Sequence, residues 1–517
     1  MAIATPNAMS DVPAWHPDRV AVVWFKRDLR LHDHAALAAA ACEGRVLPLF
    51  IQEPDLLHGD EIDAATIEFA VACAAELDRR LRDLGGRLIV RQGEAVEVLD
   101  RLFAARPFAS VHAHEETGGQ RTYARDRAVA RWCRTNGVRF VERPQHGVVR
   151  RLRSRDGWAG IWASRMRSPE TPEPTRDTIS IATGVEPGAL VGPERLGRGV
   201  NERTAVQPGG ESHALDLLDS FLHDRGRTYR TAMSSPVTAD TACSRLSAHL
   251  AWGSLSIRRA HHAAAARQME VRGSGERSGW SGSIASFQSR LRWHCHFMQK
   301  LEDEPSIEHR CMNPAFEGLR DDWCPQRLDA WRAGRTGYPM VDAVMRSLHA
   351  TGWATFRMRS MITSFACHHL QIDWRPVGRH LARLFLDYEP GIHWSQCQMQ
   401  AGVTGINTVR IYSPIKQVQD QDPTGIFIRR WVPELAEVPD EFLAEPHRMP
   451  PLTQGFAGCR IGEDYPEPIV DHATAYRHAR TVVFGRRGTA EARAAAREVQ
   501  KKHGSRRRAA RRPAGRD

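Results

Sequence analysis

No residue spacing in this chain marks a metal site or a nucleophilic site. Ten cysteines are scattered without a CxxC pair, whereas an iron–sulfur cluster needs four thiolates, usually with at least one close pair. Cys295, Cys311, Cys324, Cys367, Cys397 and Cys459 are each isolated, so no metal centre is expected. The doublets His261-His262 and His368-His369 read as solvated helix residues and not as metal ligands. No Ser/His/Asp set and no catalytic carboxylate pair stands out. What remains is 14 tryptophans, whose indoles either stack on bases or fill a core, and a hydroxyl-bearing turn, SRLS at 244–247. As bare sequence that turn is a helix cap.

Positioning such residues takes a large scaffold. A chain of 517 residues suggests two to four domain-sized units, and 42% hydrophobic with 26% charged residues is an ordinary globular composition. No run approaches the ~20 apolar residues of a membrane span. The first residues, MAIATPNAMSDVPAWHPDR, lack the basic-then-apolar order of a secretory signal, so a cytoplasmic protein with reduced thiols is expected. The formal charge is +11, from 72 Lys+Arg against 61 Asp+Glu. Residues 1–200 and 201–485 are both nearly neutral, while 486–517 hold 12 basic and three acidic residues, a net of +9. This tail opens as an Ala/Arg/Glu segment with helical character and ends in a basic string that cannot bury a core. It is expected to be disordered, as a phosphate-attracting arm or a plain solvated extension.

Between 20 and 145 the apolar runs VAVVWF, VLPLFI, RLIVRQ, SVHAH and VRFVE alternate with helical patterns such as 64–84 and 119–136. That rhythm predicts an α/β domain over 18–145, with a doubly wound parallel sheet covered on both faces. The first strand is not followed by GxGxxG, which disfavours a dehydrogenase. Residues 146–211 are Pro/Gly-rich, as in RSPETPEPTRDT, and predict an interdomain linker. Over 212–485 the pattern predicts a larger all-α domain, with helices at 214–225, 245–250, 257–271, 284–301, 338–350, 355–371 and 376–385.

Three blocks resemble the photolyase/cryptochrome flavoproteins: VVWFKRDLRLHDHAAL at 22–37, TGYPMVDAVMRSLHATGW at 336–353 and FIRRWVPELAEVP at 427–439. Their order and the two-domain layout agree with that family over about 25–485. The resemblance implies FAD in the helical domain and a second, antenna chromophore of unspecified identity in the α/β domain. In photolyases of this kind, light-excited reduced FAD gives an electron to a pyrimidine dimer flipped out of DNA; cryptochromes use the same architecture for light signalling. A cofactor that carries the redox chemistry accounts for the lack of a nucleophile or a metal site.

The segment ADTACSRLSAHLAWGSLS at 239–256 is similar to the family's phosphate-holding turn. The likeness implies that Cys243, Ser244, Arg245, Leu246 and Ser247 contact the cofactor's phosphates with Tyr229 beside them, although Cys243 stands where the family has Thr. Arg357, Arg359, Asp387, Tyr388 and Glu389 match flavin-side positions. An Arg359/Asp387 pair beside the isoalloxazine would place a fixed cation where negative charge forms. His393 matches the position facing flavin N5, where Asn is common, and its charge is expected to change near neutral pH. On the lesion side Trp293 matches an indole that stacks on the dimer. Arg290 replaces a glutamate there, His294 an arginine and Phe356 an asparagine, so neither cyclobutane nor (6-4) chemistry has its usual polar residues. Arg290 is expected to reach DNA phosphate or solvent. Trp374 and Trp331 match the middle and outer members of the tryptophan chain that leads from flavin to the surface. Its inner position is Cys397, which leaves Trp394 and Trp353 as candidates for a different route.

The expected activity is that of a deoxyribodipyrimidine photo-lyase, a monomer acting on UV-damaged DNA through Trp293, Arg290 and Phe356. The alternative is a cryptochrome-like blue-light receptor without repair activity, favoured by Arg290, Phe356, His393 and the missing inner tryptophan.

Overall fold

The computed structural model describes residues 15–57, 59–275 and 278–504. Five strands, β1 (Val20–Phe25), β2 (Arg45–Gln52), β3 (Ile89–Gln92), β4 (Ser110–His114) and β5 (Arg139–Arg143), form one sheet in the order β3-β2-β1-β4-β5. Every pairing is parallel, and Val22 of β1 lies opposite Leu47 of β2 and Val111 of β4. The central strand is buried along its whole length, because helices α1 (Ala35–Ala41), α2 (Ala64–Asp83), α3 (Ala95–Ala105) and α4 (Gln120–Thr135) cover the two faces. Phe69, Leu77 and Leu81 of α2 pack on one face; Val98 and Leu99 of α3 and Val129 and Trp132 of α4 pack on the other. A strand buried on both sides has no reason to alternate, which is why VAVVWF reads as a continuous apolar run.

The segment expected to be a linker is largely built into the fold. Helix α5 (Trp158–Arg167) sends Trp158 and Trp162 into a core shared with the helical domain. Further on, Ile181 bridges to Val46 of β2, and Val90 donates to the Pro187 carbonyl. The helical domain follows, with α6 (Glu211–His223), α7 (Pro236–Ala242), α8 (Ser247–Trp252), α9 (Ile257–Gly273), α10 (Trp280–Asp303), α11 (Pro339–Thr351), α12 (Phe356–Ser364), α13 (Trp374–Leu384) and α14 (Pro390–Ala401) as its principal helices. The helix expected over 355–371 is interrupted. After α12 the chain takes a π-helical turn, Phe365–His369, which turns both His368 and His369 into the core. The expectation that this doublet is solvated is therefore corrected. His368 Nε2 donates to the Gln400 carbonyl at 2.9 Å and its Nδ1 accepts from Arg320 at 3.1 Å, so its lone pair serves a hydrogen bond.

The start of the tail has the helical character its sequence suggests, but it is ordered and not a disordered arm. Residue 486 lies inside helix α15 (His472–Arg487), and a further helix, α16 (Ala490–His503), follows it. Thr489 caps α16 by accepting from the Ala492 amide, and Ala492, Val499 and His503 bury one face of the helix. His503 Nε2 lies 2.6 Å and Lys502 Nζ 2.9 Å from Glu304 at the end of α10. Packing of a narrow apolar stripe, anchored by one carboxylate, thus orders a segment that composition alone marks as solvated. The remainder of the tail, from 505 onward, lies outside the described residues.

The two domains are clasped by the first block of the sequence. Arg27, just after β1, donates to the carbonyls of Ala251 and Tyr388 at 2.7 Å each. Arg30 reaches the Gly253 carbonyl at 2.8 Å, and Asp33 accepts from Ser256 and pairs with Arg258. Among the described residues no helix is long and apolar enough to cross a membrane.

Candidate functional site

A cavity of about 1120 Å³ opens in the helical domain among α10, α12, α14 and the turn from α7 to α8. The turn is held from below by a residue that sequence reasoning missed. The Arg225 guanidinium donates to the carbonyls of Cys243, of Ser244 at 2.8 Å, of Thr241 at 3.2 Å and of Leu217 at 2.9 Å. Arg245 follows with φ +60°, a left-handed conformation that costs a non-glycine residue free energy and persists only where the surroundings enforce it. Its guanidinium pairs with Asp240 and lies 4.0 Å above the Trp353 ring. The position that caps α8 is Leu246, which makes no side-chain hydrogen bond to the helix. Ser244 is therefore not the helix cap that bare sequence suggests, and both Ser244 and Ser247 line the cavity with Cys243, Leu246 and Tyr229. Burial pushes the Tyr229 and Cys243 acids up to about 12, so both stay protonated.

On the facing wall Arg359 and Asp387 form a two-pronged pair, at 2.9 and 2.8 Å. Burial pushes the Asp387 carboxyl up, but the Arg359 charge and hydrogen bonds, with help from the Ser247 hydroxyl, outweigh it and hold the group below its ordinary range. Glu389, two residues on, behaves oppositely: burial raises it to about 7 in spite of Arg27, whose guanidinium lies 3.4 Å away. Arg27 is a second residue missed from sequence; its signal, KRDLR, was in plain view but pointed to the α/β domain. His393 donates from Nε2 to the Gly378 carbonyl at 2.8 Å, which leaves Nδ1 as an acceptor. Burial pulls its pKa down to about 4, so the ring is neutral at pH 7 and the expected charge change near neutrality is corrected. Tyr388 and Arg357 complete this wall.

At the cavity mouth Trp293 is 41% exposed and Phe356 is 47% exposed. The Arg290 guanidinium lies 4.4 Å from the Trp293 ring and 5.7 Å from the Phe356 ring. Arg290 is thus not free in solvent; stacking against two aromatic faces places it in the cavity wall. His294 sits deeper, and burial with the nearby Arg27 charge lowers it to about 4.

The proposed tryptophan chain is only partly assembled. Trp374 packs edge-on against Trp394 with ring centroids 5.8 Å apart, and Trp394 lies 5.0 Å from His393. Trp394 donates to the Tyr388 hydroxyl at 3.1 Å. Trp331 is 0% exposed and packs against His380, so the expectation that it is the surface member is corrected: it is a core residue. Cys397, at the inner position, lies 3.5 Å from His393, and burial drives its thiol pKa upward. The rings that run from the cavity wall into the protein are His393, Trp394 and Trp374.

Among the described residues, buried polar atoms without partners ring this cavity: Arg245 Nε, His294 Nδ1, Arg357 Nε, Glu389 Oε1 and both amide atoms of Gln396. Such atoms are costly unless a polar ligand meets them, and a large dinucleotide cofactor suits a cavity of this size and polarity. A parallel-sheet domain clasped onto a helical domain with such a cavity is a two-domain architecture with room for a dinucleotide. Residues 21–156 match the family model described as DNA photolyase, and residues 287–484 match the FAD binding domain of DNA photolyase. The chain is 33% identical over 474 residues to a deoxyribodipyrimidine photo-lyase of Streptomyces griseus, covering 88% of this chain and 97% of the relative. It is 28% identical over 483 residues to a cryptochrome DASH of Gloeobacter violaceus, covering 88% and 93%. A bacterial class III photolyase from Agrobacterium tumefaciens superposes with a TM-score of 0.77 at 27% identity, over 93% of this chain and 100% of that one. The chain belongs to the photolyase/cryptochrome family.

Proposed function

We propose that the protein is a light-dependent photo-lyase that splits pyrimidine dimers in UV-damaged DNA, acting as a cytoplasmic monomer with FAD in the helical-domain cavity. The observation that carries this reading is the exposed indole of Trp293 at the cavity mouth, braced by Arg290 and flanked by Phe356. FAD, when bound, supplies the light-driven electron donation. The turn 243–247, Tyr229 and Arg357 hold the cofactor, and the Arg359/Asp387 pair sets a fixed charge in the wall beside it. Trp293 and Phe356 orient a base taken out of the stack, since an indole accepts the face of any base. His393, neutral and fixed by Gly378, presents an acceptor nitrogen and keeps a cation out of that wall. Trp394 and Trp374 carry electrons between the cavity and the protein interior.

The deciding experiment incubates the reduced protein with defined cyclobutane and (6-4) substrates, in light and in darkness. Light-dependent loss of one lesion supports the proposal and names the substrate. A second reading, a blue-light receptor without repair, rests on Arg290 and Phe356 in place of the usual polar residues, and loss of neither lesion would establish it over the first. Trp293→Ala is expected to weaken binding to lesion-bearing DNA by about 1–3 kcal/mol, the worth of one stacked base; unchanged binding would remove Trp293 from the lesion site. Trp394→Phe is expected to slow light-driven flavin reduction more than Trp331→Phe does, and the reverse order would return the route to Trp331.

The antenna chromophore is part of the proposal, but the crevice where the sheet order reverses does not fit it. Between the ends of β1 and β4 the cavity lined by Lys26, Asp28, His114 and Glu116 measures about 30 Å³, room for about one water. An aromatic antenna would have to sit elsewhere on this domain.

A further inference from the structure

One wall of the large cavity contains no flavin-side position. It is made by Arg155 and Trp158 at the start of α5, by His296, Phe297 and Lys300 on α10, and by His503 at the end of α16. Lys300 is only 4% exposed. Its ammonium lies 4.9 Å from the Phe297 ring centroid, yet it makes no ion pair or side-chain hydrogen bond among the described residues. The acids around it are committed elsewhere. Asp303 takes Arg155 at 3.3 Å and Gln299 at 2.7 Å, and Glu304 takes Lys502 and His503. Arg155 also contacts His296 Nδ1 at 2.6 Å, so its charge adds to that of Lys300 and does not neutralise it. A buried ammonium without a counter-ion is costly, and it faces a cavity larger than the ~300–1000 Å³ of most ligand sites.

Trp293, Phe297 and Lys300 stand at i, i+4 and i+7 on α10, along one face of the helix. The axial rise between the Trp293 and Lys300 backbone positions is about 10 Å. We propose that this wall is a binding site for a phosphate group, carried by a nucleotide or by the DNA backbone, in which Lys300 supplies the counter-charge and Phe297 and Trp158 the neighbouring apolar surface. The site needs neither light nor flavin chemistry, so it stands or falls apart from the repair reading. Burial, and then repulsion from Arg155, lowers Lys300 to about 8. A bound anion favours the charged form and raises that value, so binding near pH 8 takes up protons.

The test titrates the purified full-length protein in the dark, at pH 8, with adenosine monophosphate and separately with an undamaged duplex oligonucleotide. Calorimetry in two buffers of different ionisation enthalpy reads affinity and proton uptake together. Lys300→Met is expected to weaken binding of at least one probe by about 10-fold or more, as loss of a charge-assisted contact does, and to abolish the proton uptake. Lys300→Arg is expected to retain binding. Weakening of the monophosphate alone assigns the site to a free nucleotide, and weakening of the duplex alone assigns it to the strand backbone. Unchanged affinity for both probes in Lys300→Met overturns the proposal. So does the absence of measurable binding of either probe to the parent protein, a readout that does not depend on any variant folding.

Discussion

Arg359→Ala is expected to emerge from gel filtration without flavin and to melt well below the parent chain. Asp387 is buried, and its two carboxylate oxygens are met by the two prongs of Arg359 at 2.9 and 2.8 Å. The guanidinium also donates to the Ala354 carbonyl at 2.8 Å and stacks 4.0 Å from the Phe385 ring. Truncating it leaves an uncompensated buried carboxylate, which costs about 3–5 kcal/mol in comparable cases. Arg359→Lys restores the charge but not the planar fork, so it should recover only part of the loss. The pH dependence has a definite sign. The folded Asp387 pKa is depressed below its unfolded value of about 4, so the stabilisation is fully present above that value and fades as the pH falls through the lower, folded one. In Arg359→Ala this acid-side loss should shrink. A variant that keeps its flavin and its melting temperature would show that the pair does not hold the wall.

How much of this could be read from the chain alone depended on what each residue contacts. β1 was legible because burial on both faces leaves nothing but apolar residues in VAVVWF. The long helix α10 was legible from its period, to within four residues at its start. Arg225 and Arg27 were not, because each works by donating to main-chain carbonyls, Arg225 to its own neighbourhood and Arg27 across 361 residues to Tyr388, and a carbonyl leaves no mark in the residue code. The burial of Trp331 was invisible for a related reason: position in a family pattern says nothing about which layer covers a ring. The π-helical turn that buries His368 and His369 breaks the 3.6-residue period on which a helix reading depends. Helix α16 read as helical but solvated because five of its 14 residues are alanine and six are charged, while its order comes from a few buried residues and the Glu304 contact.

Gly253→Ala should be among the most damaging single substitutions in the chain, although it adds one methyl group at a site that touches no ligand. Gly253 ends α8 in the left-handed region with φ +66°, where a side chain costs about 1–2 kcal/mol. A Cβ there would also lie 2.1 Å from the Arg27 carbonyl oxygen and 2.6 Å from the Asp28 Cα. Both atoms are main chain and cannot swing aside, so the two domains must part locally, adding about 1–3 kcal/mol of overpacking strain. The strain falls on the clasp: Arg30 donates to the Gly253 carbonyl at 2.8 Å, and Arg27 holds Ala251 on one side and Tyr388 on the other. Moving Arg27 releases the segment that carries Asp387 and Glu389, so the expected result is a lower melting temperature together with loss of flavin. Gly160→Ala supplies the contrast. It lies within α5 with nothing within 4 Å of an added Cβ, and a helical Gly→Ala change at such a site stabilises by roughly 0.5–1 kcal/mol. If Gly253→Ala behaved like Gly160→Ala, the clasp between the domains would not be what aligns the cavity wall, and the role of Arg27 would have to be given up with it.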